Sequence, residues 1–90
     1  PAFMRSANMS RYYFDIRDGE ELIVDAEGTD MFDLEAVQVE AAQSLAEMAG
    51  HAVWSGAEAK LGRRLGIEVR DRNGPILKAK FTFEIEQHKQ

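Results

Sequence analysis

The 90 residues carry 16 Asp and Glu against 11 Lys and Arg, a formal charge of −5, with 44% hydrophobic residues and no cysteine. A chain of this length buries only about 60% of the surface its unfolded form exposes, so it fits one domain with a small core. Net acidity argues against a general nucleic-acid binder, whose affinity rests on neutralising phosphates, and a cysteine-free chain holds no disulfide, thiolate nucleophile or zinc–thiolate site.

No stretch approaches the ~20 apolar residues of a membrane span, and no basic-then-apolar leader precedes a small-residue cleavage site. A soluble, unexported, cytoplasmic protein is therefore expected. The charge is unevenly placed. Asp15 to Glu35 holds nine carboxylates against Arg17 alone, whereas Lys60 to Gln90 holds eight Lys and Arg against four acids. The chain is a charge dipole along its length.

The opening "PAFMRSANMS" has no period. Residues 1–10 read as a disordered lead-in or an expression remnant, with Met9 the natural start and 11–88 a single domain. From Tyr12, alternation sets Tyr12, Phe14 and Ile16 on one face and Tyr13, Asp15 and Arg17 on the other, the pattern of a strand with one face buried. A second strand follows at Leu22-Ile23-Val24. A two-residue Asp18-Gly19 turn would set Phe14 opposite Ile23, and a longer loop through Glu20 or Glu21 is equally compatible, so the register stays open.

Leu34, Val37, Ala41, Leu45, Met48 and Ala52 recur at spacings of three and four, one apolar stripe of a helix ending near Trp54. Asp33 is its N-cap, Phe32 a hydrophobic staple on Val37, and Glu35 favours the dipole of the first turn. "GAEAKLG" is a linker or a short extra turn. In the last third, Leu65, Ile67 and Val69 must share a face with Leu77, Ala79, Phe81, Phe83 and Ile85. A two-residue Asn73-Gly74 loop would set Val69 opposite Lys78, which that pattern forbids. A three-residue loop, Arg72-Asn73-Gly74 with Gly74 at positive φ, sets Val69 against Leu77, Ile67 against Ala79 and Glu68 against Lys78. The predicted fold is α+β in the order β-β-α-β-β, an antiparallel four-stranded sheet with one helix packed across one face.

Tyr12 to Gly19 (Y-Y-F-D-I-R-D-G), Leu22 to Gly28 (L-I-V-D-A-E-G), Asp33 to Ala36 (D-L-E-A) and Ile67 to Gly74 (I-E-V-R-D-R-N-G) together resemble a family of short, uncharacterised rhizobial-type bacterial proteins. The resemblance spans nearly everything after Met9. It implies membership of a family whose domain has no known function, and it brings no activity. The strand-strand-helix-strand order is also similar to small antitoxins of the HicB type, an analogy of fold alone.

Asp25, Glu27 and Asp30 around Gly28 are hard oxygen donors at short spacing, but the residue twelve on from Asp25 is Ala36, where a calcium loop needs a bidentate Glu. The stretch reads as a solvated turn leading to a capped helix, so replacing Asp25 should cost less than replacing Asp33. His51 and His88 lack partners at metal or relay spacing. No catalytic set, cofactor or metal site is read, and no enzyme is expected. Arg64, Arg70, Arg72, Lys78 and Lys80 converge on the outer face of the second hairpin as a candidate basic face. Glu68, Glu84 and Glu86 lie among them, so a solvated sheet face is the simpler reading and nucleic acid is not favoured. The final strand, read as Ile76 to Glu86, outruns Leu65 to Val69. Its distal part therefore needs a further strand, and a homodimer is expected with Phe83, Ile85 and Trp54 approaching the interface. The expected function is a non-enzymatic, self-associating module that meets an unidentified protein partner; an antitoxin-like or nucleic-acid-binding regulator using the basic face is the alternative.

Overall fold

The structure is a computed structural model describing residues 9–55, 63–86 and 88. The lead-in at 1–8 and the linker at 56–62 lie outside the described residues. Among the described residues, five strands and one helix follow in the order β1 (Ser10–Asp18), β2 (Glu21–Ile23), β3 (Thr29–Met31), α1 (Leu34–Ser55), β4 (Arg63–Asp71) and β5 (Gly74–Phe83). All pairings are antiparallel in the sheet order β2-β1-β4-β5, with β3 also bonded to β1. The class is α+β as the pattern predicts, with one more strand than predicted. Ser10, assigned from sequence to the lead-in, opens β1 opposite Met31.

The first hairpin closes through Gly19-Glu20, with Asp18 opposite Glu21 and Ile16 opposite Ile23. Gly19 has φ +62 at the first central position, which two-residue hairpin turns of type II′ reserve for glycine. Its N–H donates to the Arg64 carbonyl at 2.8 Å, tying the turn to β4. The second hairpin has the predicted register, Val69 with Leu77, Ile67 with Ala79 and Glu68 with Lys78. Its loop differs. Asp71 pairs with Gly74 across two residues, Arg72-Asn73, and Arg70 pairs with Pro75. The extra residue demanded by the facing pattern is Ile76, extruded at a bulge rather than held in the loop. Gly74 has the expected positive φ, +129.

β4 is flanked by β1 and β5 along its length, so its inner residues form the centre of the core. Leu65, Ile67 and Val69 are buried against Val37, Ala41, Leu45 and Ala49 of α1. Tyr12, Phe14 and Ile16 from β1 and Leu77, Ala79 and Phe81 from β5 pack around them. Burying one such Val, Leu or Ile side chain contributes about 1.5–3 kcal/mol. The N-cap is as read: Asp33 Oδ1 accepts the Ala36 N–H at 2.8 Å. Phe32 is 65% exposed, so it is no buried staple, and the buried stripe starts at Val37 rather than Leu34. Strand lengths also differ from expectation. β4 begins at Arg63, opposite Phe83, so β5 does not outrun its hairpin partner.

Candidate functional site

The outer face of the sheet carries the charged side chains that strand alternation sends away from α1. Among the described residues its one buried charge is Asp15, 6% exposed, placed in the middle of β1 and bonded to Arg70 of β4. Arg70 Nε donates to Asp15 Oδ2 at 2.8 Å and Nη2 to Oδ1 at 3.3 Å. Nη2 also donates to the Asp25 carbonyl at 3.0 Å, and the guanidinium lies 4.5 Å from the Tyr13 ring centroid. A planar fork with fixed donors suits both partners at once. Burial pushes the Asp15 carboxyl up, but the Arg70 guanidinium and the Asp25 N–H outweigh it and hold the group below its ordinary value. Hydrogen bonding to Asp15 in turn raises Arg70.

Asp25 stands in the loop between β2 and β3, where the edge of β1 has no strand beside it. Its Oδ2 accepts the Phe14 N–H at 3.1 Å, and its Oδ1 accepts those of Gly28 at 3.0 Å and Glu27 at 3.2 Å. Its own N–H donates to Asp15 Oδ1 at 2.9 Å. The Gly28 and Phe14 N–H groups hold the Asp25 carboxyl below its ordinary value. The acidic run is therefore no solvated turn at Asp25. That carboxylate stands in for the missing ladder partner of Phe14 and folds the loop so that β3 reaches β1. Arg11 closes the far side, donating to the Glu27 carbonyl at 2.6 Å and pairing with Asp30 at 3.2 Å. Among the described residues no three His, Cys, Asp or Glu side chains are gathered to hold a metal ion.

The candidate basic face divides. Arg70 is spent on Asp15, and Arg72 sits in the β4–β5 turn. Arg64, Lys78 and Lys80 line a shallow groove of about 610 Å³ with Gly66, Glu68 and Thr82. Arg17, missed from sequence, joins them by lying opposite Gly66. Glu68 stands among these cations, 3.1 Å from Arg17 and 3.7 Å from Lys78.

The candidate interface residues come from the end of α1 and the end of β5. Phe83 ends β5 on the inner face, Ile85 is exposed beyond it, and Trp54 is 91% exposed in the last turn of α1, so it covers no core edge. Beside them is a feature the first apolar stripe concealed. Ala42, Ala46, Gly50 and Val53 form a second stripe along α1, and with Ala49, Ala79 and Phe81 they line an apolar cleft of about 580 Å³ between helix and β5. Among the described residues no strand pairs with the outer edge of β5, which borders this cleft. The spacing of Ala42, Ala46, Gly50 and Val53 was the available signal, but such small residues register weakly as an apolar face.

The geometry defines a small α+β protein in which, among the described residues, the sheet is open at β5 and the polar centre is structural. The chain belongs to the family described as Domain of unknown function (DUF6894), whose model matches residues 11–82. No curated protein and no solved structure matches the chain.

Proposed function

We propose that this chain is a non-enzymatic binding module that works as a homodimer, joined along the outer edge of β5. One observation carries the reading: a ten-residue strand with no neighbour on its outer edge among the described residues, bordered by an apolar cleft on the helix side. Unpaired backbone groups along a strand of this length invite another strand, and proteins commonly cover such edges. A small core gains from the added burial, and two-fold dimers are the commonest oligomers. Against an enzymatic role stands the use made of the two carboxylates whose pKa is lowered, Asp15 and Asp25, whose oxygens are taken by backbone N–H groups and Arg70. The cysteine-free sequence fits a reducing cytoplasm, and among the described residues no helix is long and apolar enough to cross a membrane.

A nucleic-acid-binding regulator is the second reading, favoured by Arg17, Arg64, Lys78 and Lys80 around one groove. It is weakened by Glu68 within that groove and by the commitment of Arg70 to Asp15. Light scattering from micromolar to near-millimolar protein should give twice the 10.1 kDa chain mass. A single-chain mass throughout would refute the dimer. Recovery of nucleic acid with the protein from lysate, abolished by nuclease, would favour the second reading.

A further inference from the structure

Residues 78–86 read Lys-Ala-Lys-Phe-Thr-Phe-Glu-Ile-Glu. Lys78, Lys80 and Thr82 lie on the outer face of β5, and the same alternation carried past the strand's end at Phe83 would bring Glu84 and Glu86 to that face, so that the charge order changes sign about Thr82. We infer that the surface which meets the β5 edge is a second copy of that same edge, paired antiparallel with the two-fold axis at Thr82. This rests on the self-association proposed above and specifies its register.

In an antiparallel ladder, opposed residues point to the same face and share the same hydrogen-bonding role. Outer-face residues of β5 therefore pair only with outer-face residues, and the axis must pass at a residue. An axis at Ala79 sets Lys78 opposite the partner's Lys80, and an axis at Lys80 sets that lysine opposite itself. Both place like charges in contact, which destabilises a sheet. An axis at Phe81 matches Lys78 with the partner's Glu84 but leaves Lys80 opposite a threonine. An axis at Phe83 matches Lys80 with the partner's Glu86 but sets Thr82 opposite a carboxylate. At Thr82 both lysines are matched: Lys80 meets the partner's Glu84, and Lys78 meets the partner's Glu86.

The inner face agrees with this register. Phe81 then stands opposite the partner's Phe83, an aromatic cross-strand pair, and Ala79 opposite the partner's Ile85. Phe81 and Ala79 also line the apolar cleft, so the second copy continues the inner layer where α1 presents Ala42, Ala46, Gly50 and Val53. These small side chains leave room for a neighbouring helix. The last pair of β5 is Phe83 with Arg63, and residues 84–86 beyond it are exposed. In the dimer they gain partners. Lysines on an open edge exclude most foreign strands, and the inverted charge order admits the edge of an identical chain.

Lys80 and Glu84 make the cleanest test, because Lys80 faces Gly66 within its own sheet and Glu84 lies beyond the last pairing of β5. Lys80→Glu places a carboxylate opposite the partner's Glu84 twice per dimer and should raise the dimer dissociation constant about ten-fold or more. Glu84→Lys should do the same by opposing two ammonium groups. Combining the two substitutions restores opposite charges and should bring the constant back to within about three-fold of the original. Circular dichroism checks that each variant keeps its fold. Because the natural chain has no cysteine, Thr82→Cys supplies a second measurement. On the axis its Cα atoms lie about 4.5–5.5 Å apart, within disulfide reach, and the variant should cross-link under mild oxidant. Lys78→Cys should not, since its two copies are separated by roughly 27 Å along the strands. A dimer that ignores the single charge reversals, or is not rescued by the pair, or cross-links through Lys78→Cys, overturns the Thr82 register while self-association stands. A natural chain that stays monomeric overturns both.

Discussion

Replacing Asp25 with Ala tests whether the acidic run is architecture. The carboxylate accepts three backbone N–H groups, from Phe14 at 3.1 Å, Gly28 at 3.0 Å and Glu27 at 3.2 Å, while its neighbourhood is held by Arg70 and Asp15. Hydrogen bonds to charged groups contribute about 1.5–3 kcal/mol net where water is kept away. Water can replace the acceptor for Glu27, which is exposed, but less readily for Phe14 on the half-buried edge of β1. The expected cost is therefore about 2–3 kcal/mol in total, against about 1 kcal/mol for removing the Asp33 cap. Asp25→Asn should fall between, because its amide nitrogen would confront either the Phe14 N–H or the two loop N–H groups.

The assay is urea unfolding at neutral pH and one fixed protein concentration, because stability linked to association varies with concentration. The pH dependence gives an independent reading. Both Asp15 and Asp25 are held below the ordinary aspartate value of 3.8 in the folded protein. A depressed folded pKa means that the stabilisation is fully present above the unfolded pKa and is lost as pH falls through the folded one. The natural protein should lose stability as pH drops below 3.8, and Asp25→Ala should show a shallower decline. If Asp25→Ala cost less than Asp33→Ala, the structural role given to the acidic loop would be wrong.

Two further substitutions probe backbone at the turns. At Gly28, φ is +75 and an added Cβ would stand 2.8 Å from the Tyr13 ring, 2.9 Å from Arg11 Cγ and 3.0 Å from the Tyr12 carbonyl oxygen. Gly28→Ala should cost more than about 2 kcal/mol and exceed Gly19→Ala, where φ is also positive but the space is open, as compared by thermal melting. Gly74→Val should lower stability by more than about 1 kcal/mol through backbone strain alone, since nothing lies within 4 Å of a Cβ there; an unchanged melting temperature would contradict the positive φ of that hairpin.

The helix and the second hairpin were legible because their signals are local and periodic. Spacings of three and four from Val37 to Ala52 define a buried stripe wherever the helix docks, and the alternation of Leu65, Ile67 and Val69 against Leu77, Ala79 and Phe81 admits one pairing parity. That parity holds whether the odd residue sits in the loop or in a bulge, so the register was readable while the bulge at Ile76 was not. The family resemblance was likewise read from short local runs between Tyr12 and Gly74, and the family model matches residues 11–82.

Tertiary structure alone decided what the acids do. Asp15 and Arg70 are separated by 55 positions, and Asp25 reaches Phe14 across 11. Side-chain bonds to distant backbone have no period, so a loop built on them looks in sequence like a solvated acidic run. β3 depends on that loop and has no apolar pattern of its own. The charge order about Thr82 was present in the sequence throughout, but the sequence did not say on which strand of the sheet it falls: on a central strand these residues would be paired on both sides, whereas β5 stands at the end of the sheet order and its outer edge is unpaired among the described residues.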